Sequence, residues 1–171
     1  GVAADVGTGS GCIALALATE GDFDRVIATD VSASAIAMTR LNARSQRATR
    51  TVLDIRTGDL LTPLRRDDQV SVIVSNPPYI ALSEIAELPS SVRDWEPHIA
   101  LASENDGMAH TQHIIDAAPG VLRSGGILAL EVDSRRARRV AQYIGANKTY
   151  ADTKVHKDLT NRDRFVIATR R

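Results

Sequence analysis

Two strand-like runs close the chain, near Thr153–Lys157 and Arg164–Thr169, with only Asp158–Asp163 between them. That gap is too short for a crossover helix, so the pair must be antiparallel. Everything before it alternates. Val2–Val6, Arg25–Asp30, Thr51–Thr57, Val70–Ser75 and Ile127–Val132 read as strands. Helix-like runs lie between them at Cys12–Glu20, after Ser32, at Met108–Leu122 and at Ser134–Ile144. Ser32 suits an N-cap, and Ile36, Thr39 or Arg40, and Ala43 then share one face. Residues 80–106 read as a long irregular stretch broken by Pro89 and Pro97. The pattern predicts an α/β, doubly wound, mostly parallel seven-stranded sheet with a C-terminal antiparallel hairpin.

A chain of 171 residues suits one domain, and no repeat, linker or low-complexity segment divides it. Its formal charge is zero, so a broad electrostatic footprint for nucleic acid is not expected, and only a local basic patch stays open. The single cysteine, Cys12, excludes an internal disulfide framework and a zinc cluster. His110 and His113 are one helical turn apart without acidic or cysteine companions, so no metal is expected. No apolar run approaches the ~20 residues that cross a bilayer, and no signal peptide is visible, which makes a cytoplasmic protein the expectation. The sequence opens inside a strand without methionine and reads as a whole domain that lacks its upstream part.

The first strand runs into "DVGTGSG", with Gly7, Gly9 and Gly11 ahead of a helix. Such a loop lets the backbone approach a ligand at the carboxyl end of the sheet. The dehydrogenase fingerprint Gly-x-Gly-x-x-Gly needs its third glycine one residue later. Asp5 lies where a ligand ammonium group can be met. Asp30, 19 residues beyond Gly11, can accept both hydroxyls of a ribose. Asp59 can accept from an adenine amino group, with Leu60 and Val31 on either side of the ring.

The fourth strand ends in Asn76-Pro77-Pro78-Tyr79. A planar nitrogen is a poor nucleophile because its lone pair is delocalised. An Asn oxygen can accept one of its N–H bonds and a proline carbonyl the other, while two prolines hold that carbonyl still. Tyr79 can stack on the flat group. Catalysis would then be positioning plus stabilisation of charge developing on nitrogen, with neither metal nor covalent nucleophile.

Parallel strands with one late hairpin form the architecture of the class I methyltransferases. "DVGTGSGCIALALA", "ATDVSASAIAMTRLNA", "GDLLTPL", "IVSNPPYIA", "VRDWEPHIAL", "DGM", "LRSGGILALEV" and "KDLTNRDRFVIA" together resemble the protein-glutamine methyltransferases that modify peptide chain release factors. The resemblance covers essentially the whole chain. It implies S-adenosyl-L-methionine as methyl donor and the glutamine of a Gly-Gly-Gln loop as acceptor. By the same match Gly7, Thr8, Gly9, Ser10, Gly11, Asp30, Leu60 and Asn76 contact the donor, and Asn76–Tyr79 hold the glutamine. Asp94–Leu101 resembles the stretch bordering the acceptor site. The chain would thus be the catalytic domain, residues 1–171, of such an enzyme. Three departures stand out. The family's N-terminal helical domain is absent, which bears on affinity for a protein substrate. Leu60 replaces a frequent aromatic beside the adenine. "EVDSRR" (Glu131–Arg136) replaces the more usual Glu-Ile-Gly followed by a glutamine, for which the sequence alone offers no reading.

Rival readings keep some of these features. A ribosomal-protein glutamine would need the same chemistry. An exocyclic amine of nucleic acid also suits Asn-Pro-Pro-Tyr but wants a basic channel. A nicotinamide dehydrogenase fits neither the glycine spacing nor the hairpin, and a non-catalytic module leaves the Asn76–Tyr79 motif without a use. Arg135–Arg139 reads as a solvated helix face, Cys12 as a packing residue, and Trp95 as either a pocket wall or a loop anchor.

Overall fold

The computed structural model describes residues 1–46, 50–87, 90 and 102–171. In chain order the elements are β1 (Val2–Val6), α1 (Cys12–Glu20), β2 (Arg25–Asp30), α2 (Ala33–Arg44), β3 (Val52–Thr57) and β4 (Val70–Ser75). Then come β5 (Ile80–Ala81), β6 (Ala102–Ser103), α3 (Ala109–Ala117), β7 (Leu122–Glu131), α4 (Ala137–Ala146), β8 (Tyr150–Lys157) and β9 (Asp163–Arg170). Seven strands make one sheet in the order β3-β2-β1-β4-β7-β9-β8. All pairings from β3 to β7 are parallel, whereas β9 is antiparallel to both β7 and β8. The expected hairpin is therefore present, with β9 inserted between β7 and β8.

The sheet is covered on both faces, which is why its inner strands read as unbroken apolar runs. Successive residues of β1 serve opposite cores. Ala3 joins Ala14, Ala18, Val26 and Ala28 under α1, a thin layer that keeps this helix close to the strands. Ala4 and Val6 join the larger core with Ile27, Ile73, Ile114, Leu128, Leu130, Val140 and Ile144. Ser32 caps α2 as expected, its hydroxyl accepting from Ala35 N at 3.3 Å.

Boundaries move where the chain turns. The helix expected to reach Leu122 ends at Ala117 and passes through a 3-10 turn at Ala118–Gly120 that contains Pro119. Proline removes an amide donor that a continuing helix would use. Leu122 already pairs with Val70, and the next aligned pair is Val72 with Ile127. Ser124-Gly125-Gly126 thus lies in a bulge inside β7, with Gly125 at φ 74°. α4 starts at Ala137, not Ser134, because Asp133 first closes a turn by accepting from the amides of Arg135 and Arg136. Within 80–106, β5 and β6 form a short parallel pair and Leu82–Glu87 a 3-10 turn.

Candidate active site

The ends of β1, β2 and β4 lie level, since Val6 aligns with Thr29 on one side and Ser75 on the other. Strand order reverses between β1 and β4, which makes this edge the switch point where such sheets take ligands. The glycine loop is pinned there from several directions. Gly7 N and Thr8 N both donate to Thr29 O at 2.9 Å. From α2, Thr39 Oγ1 donates to Gly9 O at 3.0 Å and Asn42 Nδ2 to Ser10 O at 2.8 Å. Gly11 has φ 86°, and a Cβ there would sit 2.8 Å from Thr39 Cγ2. Thr39 and Asn42 were not legible as loop braces. The one signal was a polar residue, Thr39, on the apolar face of α2.

Asp5 and Asp30 flank the loop. Asp30 Oδ2 accepts from Gly9 N at 2.9 Å and Oδ1 from Ser32 N at 2.8 Å. It is half-buried, and each oxygen keeps a second lone pair for a further donor. Asp5 lies deeper than expected, fully beneath the loop. Its Oδ2 accepts from Thr8 Oγ1 at 2.6 Å and from Ala14 N, in the first turn of α1, at 2.9 Å. Its Oδ1 is buried with no hydrogen-bond partner among the described residues. Burial pushes the Asp5 carboxyl up from 3.8 to about 6, opposed by the Thr8 and Ala14 bonds and reinforced by the charge of Asp30.

That shift fixes a sign. The folded state keeps the Asp5 proton above the pH at which the unfolded chain loses it. Stability therefore falls as pH rises from about 4 to 6, by about 2–3 kcal/mol from this group. In Asp5→Asn that slope is expected to vanish, as read from urea unfolding between pH 4 and 7. An unchanged slope would assign the titration elsewhere.

Of the residues expected around a purine, Leu60 is half-buried with φ 45°, and its carbonyl accepts from Thr29 Oγ1 at 3.1 Å. Val31, 52% exposed, and Asp59, also exposed, lie at the same edge beyond β2 and β3. The loop bearing Leu60 is thus tied to the strand that also receives Gly7 and Thr8.

On the other side of β1, Ser75 Oγ donates to Val6 O at 2.7 Å and fixes the last residue of β4. Asn76 follows directly. It is exposed, and its side chain has no hydrogen-bond partner among the described residues. Pro77 is buried, while Pro78 and Tyr79 are half-buried. Behind them, Gly107 packs so closely that a Cβ would overlap the Tyr79 carbonyl.

Two expectations are overturned. Arg135–Arg139 is not uniformly a solvated face, since Arg136 is 7% exposed and bonds to the segment after Tyr79. Cys12 is exposed at the start of α1, with Sγ 3.1 Å from Ser10 Oγ, and is not a core packing residue. His110 Nδ1 lies 2.9 Å from Ser103 Oγ. Asp94–Leu101, including Trp95, lies outside the described residues. Among the described residues no helix is long and apolar enough to cross a membrane, and no group of His, Cys, Asp and Glu is arranged to hold a metal ion.

Residues 1–88 match the family model of the methyltransferase small domain. The chain is 41% identical over 164 residues to the release factor glutamine methyltransferase of Cereibacter sphaeroides, covering 96% of this chain and 58% of that protein. It is 40% identical over 168 residues to the protein of the same name from Moorella thermoacetica, covering 98% and 58%. The chain therefore spans 58% of the length of these curated relatives. A crystal structure of a methyltransferase from Pyrococcus furiosus superposes with a TM-score of 0.70 at 18% identity, covering 99% of this chain and 74% of that one. The fold is that of the class I methyltransferases.

Proposed function

The chain belongs to the methyltransferase small domain family, and from that premise we propose that it transfers a methyl group from S-adenosyl-L-methionine to a protein glutamine amide, that of the Gly-Gly-Gln loop of a peptide chain release factor. The 171 residues are read as the catalytic domain. The observation that carries the reading is the pairing of an acid-flanked glycine loop with an uncommitted carboxamide one strand away. No lysine or arginine occurs before Arg25, and Asp5 and Asp30 both bear on the loop. A pyrophosphate would meet repulsion there, whereas a ligand carrying an ammonium and a sulfonium is favoured. The N-terminal amides of α1 suit that ligand's carboxylate. The unpartnered Oδ1 of Asp5 gives the site a buried negative charge that a cation would relieve.

Asp30 and Asn76 stand at the ends of β2 and β4, with β1 between them, so roughly 10 Å separates them. A bound nucleoside and its thioether arm can bridge that span. Asp30 would take the ribose, and Val31, Asp59 and Leu60 would border the adenine. Bound there, S-adenosylmethionine supplies an electrophilic methyl group. Asn76 Oδ1 would accept one N–H of the glutamine amide, the Pro77 carbonyl the other, and Tyr79 would cover its flat face. Held this way, the nitrogen would direct its lone pair at the methyl carbon. As the N–C bond forms the S–C bond breaks, and S-adenosylhomocysteine leaves as the neutral thioether. The charge developing on nitrogen would be met by both acceptors, and the amide proton passes to solvent.

The test is methyl transfer to a purified, unmethylated release factor, with the modified residue mapped by mass spectrometry. A single methyl on the Gly-Gly-Gln glutamine is expected. A methyl elsewhere, or on RNA in place of protein, would overturn the acceptor. For the donor, Asp30→Ala is expected to weaken S-adenosylmethionine binding by about 1.5–3 kcal/mol, the scale of charge-assisted hydrogen bonds. Unchanged affinity in calorimetry would remove Asp30 from the site.

A further inference from the structure

Arg136 is the buried arginine of an otherwise exposed basic run; besides an ion pair of Nη1 with Asp133 Oδ1 at 3.7 Å, its guanidinium bonds to the two elements that support the Asn76–Tyr79 segment. Its Nη2 donates to Glu84 Oε2 at 2.9 Å. Glu84 Oε2 also accepts from Ala81 N at 3.1 Å, two residues beyond Tyr79. Its Nε donates to Asp106 O at 2.7 Å, and Nη2 reaches Asp106 Oδ1 at 3.2 Å. Asn105, Asp106 and Gly107 have φ 52°, 56° and 76°, three successive left-handed residues. Such a turn is unfavourable for L-residues and persists only when held. It presents Gly107 to the Tyr79 carbonyl. One guanidinium therefore grips both supports of Tyr79, the segment that continues from it and the turn behind it.

We propose that Arg136 is the positioning residue of the acceptor site, holding Asn76–Tyr79 in register for the incoming planar nitrogen; this rests on the methyl-transfer reading above. Arg135, with Nη1 3.0 Å from Glu84 Oε1, and Arg139, with Nη1 2.8 Å from Asp106 Oδ2, back the same two acids from the surface. The glycine loop is independent of this cluster, since it hangs on Thr29, Asp30, Thr39 and Asn42. The departure "EVDSRR" thereby acquires a role: it brings Arg136 to a place from which both supports can be reached.

The experiment compares the 171-residue chain with Arg136→Met, Glu84→Gln and the double variant. The readouts are acceptor kinetics, donor Kd and hydrogen exchange of Ile80–Ile85. Arg136→Met is expected to lower kcat/KM for the acceptor by about 10- to 100-fold, as for a displaced reacting group, with donor Kd unchanged. Exchange at Ile80–Ile85 is expected to speed up, and the loss in the double variant to fall short of the sum of the single losses, because the two side chains share the Arg136–Glu84 contact. Unchanged acceptor kinetics, or a donor Kd that rises in step with the lost transfer, would overturn the proposal. Should Arg136→Met fail to fold, Glu84→Gln carries the same test, since Glu84 is partly exposed and the amide oxygen can still accept from Ala81 N. If the parent chain methylates no acceptor at all, it is the methyl-transfer reading that fails. The grip of Arg136 is then judged on exchange alone, and unaltered protection of Ile80–Ile85 overturns it.

Discussion

Asn76→Ala is expected to lower methyl transfer by about 10²–10³-fold while S-adenosylmethionine still binds, the scale for losing one preorganised group aimed at developing charge. The reason lies in what already holds this position. Ser75 is anchored to Val6 and Pro77 is buried, so the backbone on either side of Asn76 is fixed by contacts that alanine leaves untouched. The Asn76 side chain, by contrast, has no hydrogen-bond partner among the described residues, and its removal costs the fold little. Single-turnover transfer together with calorimetric donor affinity separates the two effects. Normal turnover would end the assignment of Asn76 to the acceptor nitrogen. A collapse of donor affinity would move the residue to the donor side.

Gly107→Ala is expected to destabilise the fold by about 2–4 kcal/mol and to impair transfer beyond what the lost stability explains. Two costs coincide at this residue. Its φ of 76° disfavours any side chain, and a Cβ would enter the Tyr79 carbonyl, a backbone group with no freedom to swing aside. The overlap can be relieved only by moving Tyr79 or by unwinding the turn that Arg136 holds. Urea unfolding gives the first effect. The second is read from transfer under conditions where the variant is fully folded. Wild-type stability would mean that the 105–107 turn is free to move away from Tyr79.

Much of this was legible because it depends on local pattern. β1, β2 and β4, as well as α1, begin and end where the sequence indicates: β1 and α1 lie between glycines, β2 starts after Asp24 and ends on Asp30, and β4 stops before Asn76 and its two prolines. The hairpin followed from the six residues Asp158–Asp163. The candidate site residues were readable in the same way, because strand ends in a doubly wound sheet converge by topology. What failed was context. The depth of Asp5 was not legible: alternation along β1 turns it toward α1, beneath the loop, where Oδ2 accepts from the Ala14 amide and Oδ1 has no hydrogen-bond partner among the described residues. Arg136 reads as one of several exposed arginines, yet it is the one directed into the cleft between β5 and the 105–107 turn.

The sequence by itself determined the α/β order, the reversed last strand, the glycine loop and the Asn-Pro-Pro-Tyr terminus, since each rests on spacing and residue type over a few positions. Only the tertiary structure decided which polar residues hold those parts in place: Thr39 and Asn42 for the loop, Ser75 for Asn76, Gly107 and Arg136 for Tyr79. The physical reason is separation along the chain. These contacts join residues 28 to 69 positions apart, and a hydrogen bond or a missing Cβ across such a distance leaves no periodicity to read.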